Sequence, residues 1–197
     1  MDTGFPDLID VLINVGVIVP LLIMFMQGVV SLMAYFLFVS SIVEIWGVSN
    51  ENAMKYLPGS QRYSYGSALA TMFISALMLA TSTLQLIGML SRSLSGDYAA
   101  NRITPESLSY SGDGGLAEKA QIATLVLLGI MQAVGFIAIV KSFILFNSRF
   151  NDSHPRHGVG AGFTFLIGGL VCWNFKWFAD LVNNQLGFNL IGLFAPW

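Results

Sequence analysis

The chain has 197 residues, of which 55% are hydrophobic and only 10% are charged, and its formal net charge is −2. A soluble domain usually carries about 25% charged residues, so this chain has too few to cover a water-facing surface. Its nine Lys and Arg residues form no dense basic patch, which argues against direct nucleic-acid binding. The composition predicts a single transmembrane domain over residues 1–197, an all-α polytopic bundle with about four transmembrane helices.

The first predicted helix, residues 11–46, is too long for a simple membrane span. Residues 11–43 are 33 consecutive positions without Asp, Glu, Lys or Arg. At about 1.5 Å per residue this run is roughly 50 Å long, whereas the hydrocarbon core is about 30 Å thick. Pro20 is therefore predicted to break or kink the helix. The span itself is expected near 21–43, with Glu44 marking its far end.

Three further apolar segments predict helices over residues 67–90, 120–146 and 159–182, followed by a short apolar tail over 186–197. The tail is too short to span a membrane. Small residues at four-residue spacing let helix backbones approach closely in lipid. Two such rows predict helix-packing faces, and they consist of Ser67, Thr71 and Ser75 in one helix and Gly129 and Ala133 in another.

The positions of the basic residues predict the orientation. The first and third connections carry four bases, against three in the second connection and none in the N-terminal segment; the four are Lys55, Arg62, Arg149 and Arg156, and the three are Arg92, Arg102 and Lys119. Cytoplasmic loops carry an excess of Lys and Arg, so these connections are predicted to be cytoplasmic and both termini to lie on the opposite, periplasmic side.

The end of the fourth helix combines aromatic and polar residues. Trp173 and Trp177 are one turn apart, as in an interfacial aromatic belt, and Lys176 and Asp180 are spaced to pair on one helix face. Asparagines there can hydrogen-bond a neighbouring helix. An assembly surface is favoured over an ion pathway, because the charged pair lies where the apolar run ends. The predicted surface consists of Trp173, Asn174, Lys176, Trp177, Asp180, Asn183 and Asn184.

No catalytic, cofactor or metal site is predicted. His154 and His157 have metal-ligand spacing, but no third ligand is evident nearby and a solvated turn is favoured. No phosphate-binding loop, nucleophile elbow or paired-cysteine motif occurs. The sequence therefore predicts a protein that is not an enzyme.

The very long first segment, the Gly/Ser-rich middle connection and the C-terminal run from Trp173 to Gly187 resemble one family. They are similar to the IcmC/DotE-type inner-membrane components of type IVB (Dot/Icm) secretion systems and related conjugation systems. The resemblance implies a multi-pass subunit of the bacterial inner membrane in an apparatus for effector translocation. Its implied partners are other membrane components of the complex, which transports effector proteins or DNA–protein substrates, and a homo-oligomer is a further possibility.

Two other functions stay open at this point. The first is a small autonomous transporter or pore with a polar path through the bundle, lined by Asn14, Gln27, Gln85, Gln121 and Gln132. The second is a membrane-embedded enzyme, which is the least favoured because no nucleophile–base or metal set is evident.

Overall fold

The computed structural model describes residues 8–50, 64–96, 116–151 and 158–186. These residues form six helices and no strand, so the predicted all-α fold is confirmed for the part of the chain that the structure describes. The tail from 187, the His154–His157 pair and the bases Lys55, Arg62 and Arg156 lie outside the described residues. The helices are α1 (Leu8–Ser49), α2 (Tyr65–Ser82), α3 (Gln85–Ser95), α4 (Leu116–Asn151), α5 (Val159–Trp173) and α6 (Phe175–Leu186).

Helix α1 is one continuous helix of 42 residues, which corresponds to a length of about 63 Å. It runs through Pro20, so the predicted break at this residue is absent. A proline removes one backbone donor, and the turns on either side remain helical. Apolar side chains surround most of α1, and only a narrow strip of it is buried. The buried strip contains Val19, Ile23, Val30, Ala34 and Ser41.

The second predicted helix, 67–90, is divided into α2 and α3 by a turn at Thr83 and Leu84. The Thr83 hydroxyl donates to the carbonyls of Leu79 and Ala80, at 3.4 and 3.1 Å. Leu84 then adopts a left-handed backbone with φ of 60°. Apolarity alone did not reveal the break, because the uncharged run continues through it.

The predicted helix 159–182 is also divided, into α5 and α6, whose axes are bent by 83°. The break lies at Asn174, whose backbone N–H and side-chain Nδ2 both donate to the Leu170 carbonyl at 3.0 Å. Asparagine is a weak helix former because its side chain bonds nearby backbone groups. Helix α4, in contrast, is uninterrupted and extends beyond both ends of the predicted 120–146.

Three described segments are long and apolar enough to cross a membrane: Asn14–Ser49, Tyr65–Ser82 and Ile122–Asn151. The bent pair α5–α6 would make a fourth if it forms one span. By length and composition, the described helices therefore agree with the predicted class of a helical membrane-spanning protein.

The contacts between Cα atoms divide the chain into two compact units. Among the described residues, unit 1 contains 8–25, 90–96, 116–136 and 169–186, and unit 2 contains 26–50, 64–89, 137–151 and 158–168. The prediction that residues 1–197 form a single domain stays a prediction. Large buried side chains of unit 1 include Val126, Phe136 and Trp173, and those of unit 2 include Met78, Ile87, Ile139 and Phe143.

Candidate assembly site

The residues predicted as a C-terminal assembly surface occupy two different environments in unit 1. Trp173 and Asn174 are buried, with 7% and 0% of their surfaces exposed. The other five belong to α6, where Trp177 and Asn183 are half-buried and Lys176, Asp180 and Asn184 are exposed. The predicted surface is therefore composed of a buried helix break and an exposed helix, and its role in assembly stays a prediction.

Asn174 connects α5 to α6. Its two donated hydrogen bonds to the Leu170 carbonyl close the last turn of α5. Its own carbonyl accepts from the Phe178 N–H at 3.0 Å, which begins the hydrogen-bond pattern of α6. The backbone of Asn174 thus makes the helical bonds on both sides of the break, and its buried side-chain amide adds one more bond at the residue where the direction of the chain changes.

Helix α6 has three different faces. Ala179 is buried, and Phe175 and Val182 beside it are half-buried, so this face contacts the rest of the protein. Lys176, Asp180 and Asn184 follow one another at four-residue spacing and are all exposed, which makes them a polar strip. A third face, the apolar strip, contains exposed Phe178 and Leu181 with half-buried Trp177.

Within unit 1, α4 and α5 are in backbone contact at Gly135. A Cβ atom added there would lie 2.6 Å from the Gly169 carbonyl oxygen and 2.7 Å from the Trp173 amide nitrogen. Only a glycine permits so close an approach. Gly129 and Ala133, the predicted packing pair of this helix, are both buried. Gly135 itself was missed because it has no small partner at four-residue spacing. The adjacent Gly168–Gly169 pair in a charge-free helix was the available signal.

Within unit 2, the predicted packing row of α2 is buried at all three positions, Ser67, Thr71 and Ser75. Thr71 Oγ1 accepts a hydrogen bond from Nδ2 of Asn151, at 2.8 Å, and this bond joins α2 to the end of α4. Asn151 Nδ2 also donates to Asn147 Oδ1 at 3.0 Å. Sequence reasoning missed Asn151, because it lies in a basic connection that looked like a solvated turn.

A second contact of unit 2 joins α4 to α5 through aromatic rings. Phe146 and Phe163 meet edge to face, with ring centroids 5.1 Å apart and an interplanar angle of 71°. Gly162 lies against the Phe146 ring, so a Cβ there would be 2.5 Å from Cε1. Lys141 Nζ lies 4.3 Å from the centre of the Phe165 ring, a cation–π geometry.

Helix α1 presents a continuous apolar outer surface. Exposed fractions reach 60% at Ile18, 75% at Phe36 and 58% at Trp46. On its inner side in unit 1, Gly16 lies so close to Val126 of α4 that a Cβ would overlap that side chain. The outer surface of α1 therefore remains available to lipid or to another protein.

The residues proposed for a transporter path are in different environments. Asn14 and Gln85 are exposed, Gln27 is half-buried and Gln132 is buried. The side chain of Gln121 lies outside what the structure describes. A path that uses these five residues stays a hypothesis.

Among the described residues, no group of three or more His, Cys, Asp and Glu side chains is arranged to hold a metal ion. The fold and these surfaces define an all-α protein whose helices suit a membrane and whose contacts are those of helix packing. Compared with protein-family models, curated proteins and solved structures, the chain matches none. The resemblance to IcmC/DotE-type components therefore stays a prediction.

Proposed function

We propose that this protein is a non-enzymatic, membrane-embedded subunit of a larger membrane complex. The observation that carries the proposal is the length of apolar surface on α1. A hydrocarbon core of about 30 Å holds about 21 residues of a helix tilted by about 20°, and about 26 residues at about 40°. The uncharged run over 11–43 has 33 residues. About 7 to 12 apolar residues therefore remain outside the hydrocarbon at either tilt.

The excess lies at the N-terminal end of α1. Glu44 and exposed Trp46 suit the headgroup region and mark the other end of the span. The N-terminal part, up to about Pro20, presents Val15 and Ile18 outward, and both are exposed. Apolar surface left in water is unfavourable by about 25 cal/mol per Å². Because α4 covers only the inner side at Gly16, another protein is expected to cover the outer side.

The resemblance of the C-terminal run suggests which complex this is. It supports a type IVB secretion or conjugation apparatus of the bacterial inner membrane, with both termini periplasmic. In that setting the partners are other membrane components of the apparatus or a second copy of this chain. The protein contributes to assembly or to the channel, and the transported substrates are effector proteins or DNA–protein complexes.

Site-specific photo-crosslinking in native membranes tests the subunit role. A benzophenone amino acid at Ile18 is expected to yield a discrete crosslink to another protein, because this residue lies in the excess part of α1. The matched control is Phe36, which is more exposed but lies inside the span, and it is expected to crosslink mainly to lipid. Equal, lipid-only crosslinking at both positions would contradict a partner on the N-terminal part of α1.

The secretion role has a separate test. Purification in mild detergent is expected to recover the protein within a large complex, and deletion of its gene is expected to abolish effector export. Normal export in the deletion strain, together with recovery of the protein only as a monomer, would exclude the role.

A further inference from the structure

We propose that α6 lies in the membrane–water interface, with its axis along the membrane plane and its apolar strip covered by lipid. The inference rests on the membrane insertion included in the proposed function. It adds a lipid-contacting surface and assigns the residues Trp177, Phe178 and Leu181 to it.

The first argument is the direction of α6. Helix α5 has 15 residues, a length of about 22 Å, and α6 is bent away from it by 83°. Transmembrane helices are tilted by about 20° on average from the membrane normal. If α5 follows this tilt, α6 lies within roughly 30° of the membrane plane. The break at Asn174 therefore turns the chain from a direction near the membrane normal to one near the membrane plane.

The second argument is the order of the three faces around α6. At about 100° per residue, the polar strip of Lys176, Asp180 and Asn184 is centred about 110° from the apolar strip. The buried face at Ala179 lies between them on the other side. A helix at the interface needs one flank toward water and another toward the acyl chains. A helix that is also attached to a protein core needs a third face, and α6 has all three.

The third argument is the area of the apolar strip, which favours lipid over a protein partner as its cover. Phe178 and Leu181 are exposed by 37% and 42%, and Trp177 is half-buried. Since a large apolar side chain covers about 150–250 Å², these fractions leave an exposed apolar strip of roughly 200 Å². A stable protein interface buries about 800 Å² per partner. The strip is too small for that role, and it suits side chains that insert a short distance into a bilayer.

Spin-label accessibility in nanodiscs tests the proposal. The full chain carries Cys172→Ser, which removes the single native thiol, plus one new cysteine at Lys176, Phe178, Asp180 or Leu181. Each nitroxide-labelled variant is placed in discs of phosphatidylethanolamine and phosphatidylglycerol, and its collisions with oxygen and with a water-soluble nickel chelate are measured. Labels at Phe178 and Leu181 are expected to favour oxygen severalfold more than labels at Lys176 and Asp180.

A label at Phe36 of α1 serves as the reference for membrane insertion. Lipid-like values at Phe36 with equal values at Asp180 and Leu181 would overturn the placement of α6 and leave the proposed insertion intact. Low access of both reagents to Phe178 and Leu181 would also overturn it, since protein would then cover the strip. Water-like values at Phe36 would instead contradict insertion itself. Two positions on each strip keep the comparison valid if one variant does not fold.

Discussion

Helix α1 and the α5–α6 segment respond in opposite ways to the residues that usually interrupt helices. Helix α1 contains Pro20 and continues for 42 residues, whereas α5–α6 contains no proline and bends by 83°. Proline removes a donor but leaves the adjacent turns able to form. Asn174 instead adds a competing donor, and both its N–H groups bond the same Leu170 carbonyl. The bend of this chain thus lies at an asparagine whose side chain shares a helical carbonyl with the backbone, and not at the proline.

The break between α2 and α3 also lies beside a side-chain hydrogen bond to a backbone carbonyl. Again no proline is involved, and the Thr83 hydroxyl bonds the carbonyls of Leu79 and Ala80 just before the turn. At this turn Leu84 has a left-handed backbone conformation, which is unfavourable by about 1–2 kcal/mol for a residue with a side chain. Both breaks therefore combine a polar side chain with a carbonyl three or four residues earlier, and both are followed by a short helix of 11 or 12 residues.

The largest loss of stability is expected at Gly135, where α4 contacts the last turns of α5 before the bend at Asn174. Gly135→Ala places a Cβ against the backbone of Gly169 and Trp173, at 2.6 and 2.7 Å, and backbone cannot move aside as a side chain can. The expected loss of unfolding free energy is about 3 kcal/mol, at the upper end of the usual range for overpacking. Unfolding by a denaturing detergent in mixed micelles measures it.

Gly168→Ala is the matched control for this substitution. It adds the same methyl group in α5, at a position where nothing lies within 4 Å. Its stability is expected to be unchanged or to rise by up to about 1 kcal/mol, because alanine favours the helix more than glycine does. Equal losses for Gly135→Ala and Gly168→Ala would show that the backbone contact does not hold α4 and α5 together.

A smaller effect is expected at the bend. Asn174→Ala removes the Nδ2 hydrogen bond to Leu170 from a fully buried position, and about 1–2 kcal/mol of unfolding free energy should be lost. Asn184→Ala, on the exposed polar strip of α6, should change stability by less than about 0.5 kcal/mol. The same unfolding measurement compares the two. A loss for Asn184→Ala as large as that for Asn174→Ala would contradict the role assigned to the buried amide.

The contrast between α1 and α5–α6 also shows what the sequence could predict. Absence of charge located all four apolar segments, because the energetic cost of charge in lipid is independent of the details of packing. The absence of charge did not predict the C-terminal end of α4, because Lys141 and Arg149 follow the apolar run but still belong to the helix. Snorkelling side chains allow this.

The breaks and the contacts needed three-dimensional information. Asn174 looked like a group for a neighbouring helix, and its bond to Leu170 depends on the local course of the backbone. Gly135 was not part of a small-residue row, and its importance comes from the α5 backbone opposite. The Asn151–Thr71 bond joins residues 80 positions apart, so no local pattern indicated it.

The smallest effect is expected at that last bond, which joins divided α2 to continuous α4. Thr71→Val, Asn151→Ala and the double variant form a cycle that isolates their interaction from the bond of Asn151 to Asn147. Interhelical side-chain hydrogen bonds in membranes contribute about 0.6 kcal/mol on average and up to about 1.7 kcal/mol. A coupling energy in this range is expected from unfolding in mixed micelles. Strict additivity of the two substitutions would mean that the 2.8 Å contact does not stabilise the α2–α4 pair.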